Sequence, residues 1–412
     1  MTRTATQHEI DDELTSLAFF SNPYPTYERL REEAPVHWCE SWGQWVVTRF
    51  EDVLAVNRDP ARFSSAGWER KFISSLPPEL QELPHMQRHY GTKVLSMTDP
   101  PEHTRLRRLV VRSFTPRVLE ALRPGIESLV HELLDDMRGK TTVDAIADFA
   151  YPLPAIVIGR LLGAPDDARD QFMRWSKDIV DFVGTGHADA ERALRNEETL
   201  REFRAFLEPI IRDRRANPRD DLMSILASPA EDGERLSDDE LISTCIVFLF
   251  AGHETTANLI GNGLLALLKH PDQLAALRRQ PELTATAVEE LLRYDSPVQR
   301  NRRIATADVE LGGGQIGQGD SVLVFMGSAN RDPAKFPDPN ALDITRSPNQ
   351  HMAFGHGIHF CVGAALSRIE APIAIRALLE RFPDVRLADG YRENWRHNIT
   401  FRGLDSLELD LS

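Results

Sequence analysis

The segment Phe354-Gly355-His356-Gly357-Ile358-His359-Phe360-Cys361-Val362-Gly363 constrains this chain more than any other stretch of its sequence. Glycine has no Cβ, so the backbone at Gly357 and Gly363 is free to turn sharply and to approach a flat group closely. A helical pattern begins near Val362, which puts Cys361 at a helix N-terminus, where backbone N–H donors and the positive end of the dipole favour a thiolate. Such a loop holds one sulfur in one direction, the requirement of a single axial bond to a metal, and hydrogen bonds to the sulfur tune the electron density it donates. Phe354 is placed to shield that sulfur from water. Most lone cysteines of intracellular proteins are inert core residues. A zinc cage of His356, His359 and Cys361 suffers from short spacing and a missing fourth ligand. The four fixed positions of F-x-x-G-x-x-x-C-x-G weigh against both alternatives.

Cysteine is otherwise scarce: Cys39 and Cys245 are the only others, far apart, so no disulfide framework is expected and a reducing cytoplasm is the natural compartment. A length of 412 residues alone suggests two or three domains. No linker or shift of composition divides the sequence, however, and a single large domain spanning 1–412 is expected. No stretch reads as a signal peptide or membrane span; the longest apolar run, Cys245 to Gly252, is broken by His253 and Glu254. A formal charge of −15 excludes nucleic acid as the main partner. Residues 103–117 reverse that sign locally, with Arg105, Arg107, Arg108, Arg112 and Arg117 and no acid among them.

Helical periodicity dominates, and the spacing predicts helices over Pro25 to Glu33, His103 to Ser113, Pro116 to Met137, Ala145 to Leu162, Ala190 to Arg215, Asp238 to Lys269, Pro271 to Arg278 and Glu282 to Tyr294. The longest is opened by Ser237-Asp238-Asp239-Glu240, a capping box. Strand-like runs are few and short: Trp45 to Thr48, Val309 to Leu311, Ser321 to Phe325 and a weak set from Ile399 to Leu411. The chain reads as mainly α with a small β region. Between Gly67 and Met97 the period is lost among prolines, which predicts a long irregular loop of the kind that binds or covers ligands. Gly312-Gly313-Gly314-Gln315-Ile316-Gly317 satisfies a dinucleotide-binding string, but a strand follows it where a helix is required, so a hairpin turn is expected.

Inside the longest helix, Ala251-Gly252-His253-Glu254-Thr255-Thr256 sets small and polar residues within an apolar element. Ala251 and Thr255, four apart, share a face. Small residues there leave room for a diatomic ligand, and Thr255 offers a hydroxyl to an ordered water. Glu254, rotated by roughly 100°, points to one side. A threonine bonded back to the helix and a salt-bridged glutamate are the plain alternative.

The cysteine loop, this string, and Glu290-Leu291-Leu292-Arg293 together resemble the cytochrome P450 haem-thiolate monooxygenases of the soluble bacterial class. The likeness runs from Asn22-Pro23-Tyr24-Pro25 through Asp99-Pro100-Pro101-Glu102-His103-Thr104-Arg105-Leu106-Arg107 to Arg402-Gly403-Leu404. It implies a cytochrome P450 fold and haem b with Cys361 as its iron ligand, bordered by Ala251, Phe354 and Gly363. It implies Glu254 and Thr255 as the catalytic acid and alcohol that handle protons, and Glu290, Arg293 and Arg346 as a buried structural triad. Haem carries two propionates, and the resemblance assigns them to His103, Arg107, Arg303 and His359. Arg302 competes with Arg303, since neighbouring strand residues face opposite ways.

The activity implied is insertion of one oxygen atom from dioxygen into a hydrophobic small molecule, by hydroxylation or epoxidation, in polyketide, terpenoid, steroid or lipid metabolism. Electrons would come singly from a ferredoxin or flavodoxin and its NAD(P)H reductase, to a monomer without membrane attachment. Arg108 and Arg112 are the expected docking pair for such an acidic partner. A haem-thiolate isomerase or dehydratase and a haem sensor are the rival readings, and the acid-alcohol pair weighs against both. The substrate pocket is expected to include Val94, Leu95, Val247, Phe248, Val298, Arg300, Ile399 and Thr400. Arg300 is polar for such a place: it either turns outward into solvent or fixes a carboxylate or other polar group.

Overall fold

The computed structural model describes residues 5–67, 73–165, 168–184, 189–219 and 221–411. The longer helices are α1 (Ala5–Thr15), α2 (Tyr24–Glu33), α3 (Phe50–Arg58), α4 (Pro84–Gly91), α5 (Glu102–Val111), α6 (Pro116–Asp136), α7 (Pro152–Leu161), α8 (Arg169–Val183), α9 (Ala190–Ala216), α10 (Asp238–Lys269), α11 (Pro271–Arg279), α12 (Thr284–Tyr294) and α13 (Ala364–Arg381). The strands that matter to the site are β1 (Val36–Cys39), β2 (Gln44–Val47), β3 (Phe63–Ser64), β4 (Arg300–Ala305), β5 (Val309–Leu311), β6 (Gly314–Ile316) and β7 (Ser321–Phe325).

Two expectations change. The 67–97 stretch is not one irregular loop: it holds a short helix at Pro78–Gln81, then α4, then a 3₁₀ turn at Leu95–Met97. Pro78 and Pro84 sit at the first helical positions, where a missing N–H costs nothing, and Pro77 is the cap before the first of these helices. The expected Ala145 to Leu162 helix is instead a π turn at Ile146–Ala150 followed by α7, with Tyr151 N–H bonding Ile146 O at 2.9 Å. Pro152 and Pro154 cannot supply the amides that an unbroken helix would need there.

The residues fall into two compact units. The first comprises the residues up to 67, 258–361 and those from 382 onward. Its centre is a five-stranded sheet in the order β1-β2-β7-β4-β3, antiparallel except for the β2–β7 pair. Successive strand residues face opposite ways, and β7 feeds two cores. Val322 and Val324 join Phe50, Val53, Phe63 and Phe336 on one face, while Leu323 and Phe325 join Ile10, Tyr27, Leu30 and Ile399 on the other. Covered on both faces, the sheet buries its central strands, and β4 carries Arg300, Asn301, Arg302 and Arg303 into that interior in register with β7. Beside it, β5 and β6 form a hairpin closed by Gly312-Gly313 with φ of +53° and +84°. The pairing of positive φ values is that of a two-residue hairpin turn.

The strongest polar cluster of this unit surrounds Glu290 on α12. Arg293 Nε and Nη2 reach its two carboxylate oxygens at 2.7 Å each, and both side chains are fully buried. Arg346 Nε lies 3.2 Å from each oxygen, and Asn349 Nδ2 and the Asp343 N–H add further donors. Arg293 also donates to the carbonyls of Asn330, Pro339 and Ala341. Removing one partner of a buried, hydrogen-bonded pair strands the other charge at a cost of about 3–5 kcal/mol. Arg293→Ala is therefore expected to lower unfolding free energy by about that much, measured by denaturant titration, and Arg293→Lys to rescue little because an ammonium cannot replace the two-pronged contact.

The second unit comprises the described residues between 73 and 257 together with 362–381. Helix α8 packs on α9 through Phe172, Trp175, Phe203 and Phe206, whose rings meet edge-on or tilted at 5.1–5.8 Å. The capping box of α10 forms as its sequence requires, Ser237 N–H to Glu240 Oε2 at 2.9 Å and Glu240 N–H to Ser237 Oγ at 3.2 Å. Helix α13 carries Glu370, which is 1% exposed and whose Oε2 has no hydrogen-bond partner. Burial alone raises its carboxyl to about 8. The fold therefore holds the neutral acid, and the cost of burying this side chain grows as pH climbs from the ordinary carboxylate range to about 8 and then levels off. Glu370→Gln, which has no charge to lose, is expected to gain stability over the parent steadily across that window and to match it near pH 4.5; thermal unfolding at stepped pH measures this.

Candidate active site

The first unit builds the cysteine loop from glycine geometry. Gly355 and Gly357 have φ of +70° and +72°, the left-handed region. A Cβ on Gly357 would lie 2.3 Å from the Asn57 carbonyl oxygen at the end of α3, so that position excludes any side chain. A 3₁₀ turn, Gly357–His359, then leads to Cys361, whose N–H bonds Phe354 O at 3.0 Å. Cys361 is exposed, and the rings of Phe354 and Phe360 in the same loop have centroids 6.3 Å apart. The other two cysteines are buried, and burial pushes the Cys39 thiol up to about 12 and the Cys245 thiol higher still. Only the loop cysteine is thus presented for bonding. Gly357→Ala is expected to reduce bound haem per protein and to destabilise by about 1–3 kcal/mol or more, from backbone strain plus the overlap with Asn57. Gly390→Ala, also at positive φ but with nothing within 4 Å, pays the conformational part only and isolates the difference.

Asn57 is a site residue that sequence reasoning missed. Its backbone carbonyl abuts Gly357, while its side-chain Oδ1 accepts from Arg303 Nη2 at 3.2 Å, so one residue meets both the cysteine loop and β4. Arg303 also donates to Arg302 O, and is 7% exposed. It stands opposite Val322 in β7, on the face of the sheet that α3 covers, whereas Arg302 stands opposite Leu323 on the other face. His359 is half-buried within the loop itself, and His356 stands 3.5 Å from Arg58. Arg300 is 5% exposed, so the outward, solvated placement does not hold. Ile399 is buried in the core with Tyr27 and Phe325, whereas Val298 and Thr400 are half-buried; Val298 bridges to Phe401, and Gln299 N–H bonds Thr400 O.

In the second unit, His103 and Arg107 lie one turn apart on α5, His103 buried and Arg107 half-buried. Val94 is sealed in the core at 2% exposure, with Leu95 half-buried beside it. Helix α10 is buried on most sides but open along one stripe, Val247, Phe248, Ala251 and Thr255, the spacing of one helical face. Phe248 meets Phe114 edge-on at 5.2 Å. Thr255 Oγ1 donates to Ala251 O at 2.7 Å, the bonded-back alternative. Glu254 is 1% exposed, off the open stripe. The small residue at 252 has a different reason from the one expected: a Cβ there would lie 2.7 Å from Ile158 Cδ1, so Gly252 admits the close approach of α7. Next to it His253 Nε2 meets Tyr151 O at 2.9 Å.

The expected docking arginines are occupied. Arg108 pairs with Asp232 and Glu234, and Arg112 reaches the carbonyls of Ile225, Ser228 and Pro229. Two acids from the segment before α10 thus answer Arg108, while Arg112 meets no carboxylate in these contacts.

Each unit by itself carries groups that suit part of a flat, largely apolar ring system with two acid arms. The first offers an exposed thiol in a loop that also carries Phe354 and Phe360, and a buried guanidinium, Arg303, that reaches two neutral oxygens. The second offers an open, mostly apolar helix face and the His103–Arg107 pair. Among the described residues no group of three or more His, Cys, Asp or Glu side chains is set to hold a metal ion.

The family profile for cytochrome P450 matches residues 68–386. Cytochrome P450 107B1 of Saccharopolyspora erythraea is 44% identical over 396 residues, 95% of this chain and 96% of that one. The 6-deoxyerythronolide B hydroxylase of the same organism is 41% identical over 403 residues, covering 97% and 98%. Among solved structures, P450BioI in complex with hexadec-9Z-enoic acid ligated acyl carrier protein superposes with a TM-score of 0.86 at 38% identity, covering 96% of this chain and all of that one. The chain belongs to the cytochrome P450 family: it is a haem-thiolate monooxygenase that uses haem b. No helix among the described residues is long and apolar enough to cross a membrane.

Proposed function

We propose that Cys361 would supply the sulfur ligand to the haem iron, that His103, Arg107, Arg303 and His359 would hold the propionates, and that the two compact units work as one catalytic domain. The observation that carries this is the exposed Cys361 thiol in a loop whose backbone is fixed by Gly355, Gly357 and Asn57. Bound haem supplies the activation of dioxygen with two electrons delivered one at a time. The chain's own residues do the rest. The open stripe of α10 gives a small ligand space at Ala251, Thr255 orients water there through its hydroxyl, and Glu254 passes protons inward from its buried position.

The substrate is a hydrophobic small molecule held by Leu95, Val247, Phe248, Val298 and Thr400, with Val94 and Ile399 as backing. The family likeness includes relatives named for polyketide biosynthesis and for hydroxylation of 6-deoxyerythronolide B, which supports a secondary metabolite of polyketide type. A ferredoxin or flavodoxin with its NAD(P)H reductase supplies electrons in the cytoplasm. Arg112, whose guanidinium meets only neutral carbonyls, keeps its full charge for that partner, and Arg108 shares its own with Asp232 and Glu234.

The reduced, CO-treated holoenzyme is expected to show the red-shifted Soret band of thiolate ligation, and Cys361→Ala to lose it. An unaltered spectrum in Cys361→Ala would sink this assignment.

A further inference from the structure

Strand β4 places a buried cation where no anion answers it. Arg300 and Arg302 stand opposite Phe325 and Leu323 of β7, on the face whose core holds Tyr27 and Ile399. Arg303 stands opposite Val322 and belongs to the other face. Arg300 is 5% exposed, and its Nε has no acceptor. Among the described residues no carboxylate acts on its charge: burial and Arg302 both oppose it, only the Tyr27 phenol favours it, and the guanidinium falls to about 9. A bare guanidinium in an apolar interior is among the more expensive arrangements a fold can keep. Completed by an anion it becomes a recognition site, because its planar fork matches a carboxylate with two parallel hydrogen bonds.

We propose that Arg300, assisted by Arg302, binds a carboxylate carried by the substrate, so that the enzyme acts on an apolar carboxylic acid. The proposal rests on the monooxygenase reading and narrows its substrate class. The strand geometry separates this site from the propionate contact assigned to Arg303, since the two arginines lie on opposite faces of β4. Its apolar surroundings, Phe325 and Ile399, suit the hydrocarbon next to an acid group. Arg302 is half-buried on the same face and adds a second positive charge beside the site.

Two carboxylates of different shape, dodecanoate and lithocholate, and the methyl ester of each are titrated into the holoenzyme, with binding read by haem spin-state change and by calorimetry. The parent is expected to bind at least one acid about tenfold or more tighter than its ester, a difference of about 1.4 kcal/mol. Arg300→Gln is expected to lose that preference while binding the ester as the parent does, and Arg300→Lys to keep part of it. Equal affinity for acid and ester in the parent, failure of both acids to bind, or an Arg300→Gln protein that retains the preference overturns the proposal. A haem propionate is the other source of a carboxylate for Arg300. In that case Arg300→Gln speeds haem transfer to apomyoglobin and leaves the acid preference intact, which also overturns it. The CO spectrum of the same preparations separates the two levels: a parent without the thiolate signature sinks the monooxygenase reading, whereas a normal spectrum without acid preference sinks only this inference.

Discussion

The buried Glu290 carboxylate organises the first unit, because the segment that ends in Cys361 has little regular structure to hold it. From Glu290 the hydrogen bonds run through Arg293 to the Asn330 carbonyl, and from Asn330 Oδ1 to the Met352 N–H at 2.7 Å. Met352 O then accepts from Gly355 N–H, and Phe354 O from Cys361 N–H. A continuous polar path thus leads from α12 to the sulfur-bearing residue. The path pairs the Asn330 carbonyl and the Met352 N–H, backbone groups of buried residues that would be costly to leave without partners. The charge pair at its origin is costly to bury as well, and it is tolerated because every oxygen of Glu290 is used more than once.

Much of this was legible in the sequence, for reasons that differ by element. The bounds of α10 follow from a capping box at one end and Pro271 just past the other, both local signals. The cysteine loop was legible because glycine, aromatic and thiol positions must fall at fixed spacing for the backbone to turn as it does. Helices α1, α3 and α8 and strands β1 and β4 were not. The sequence of β4, Arg-Asn-Arg-Arg-Ile-Ala, has no alternation of apolar and polar residues, and only its pairing between β3 and β7 makes it a central strand. For the same reason Arg300 looked solvated: the covering of both faces of the sheet is a tertiary fact that no local pattern carries.

Asn57 and Gly252 show the same limit from the side of the site. Each matters for what approaches it from a distant part of the chain, the cysteine loop in one case and Ile158 in the other. The arginine stripe on α5 shows the limit in its charge. No acid lies within it in sequence, yet Asp232 and Glu234 meet Arg108 from far along the chain, while Arg112 meets only carbonyls. A local excess of one charge is a prediction about surface potential only after the folded neighbours have been counted.

The bond from Thr255 Oγ1 to Ala251 O has a directional consequence. A hydroxyl owns a single hydrogen, and here the helix carbonyl has claimed it. Toward the open side of α10, Thr255 therefore presents lone pairs and nothing to give. Whatever settles there must arrive carrying its own hydrogen, which makes this side chain a selector for protonated neighbours and not a source of protons.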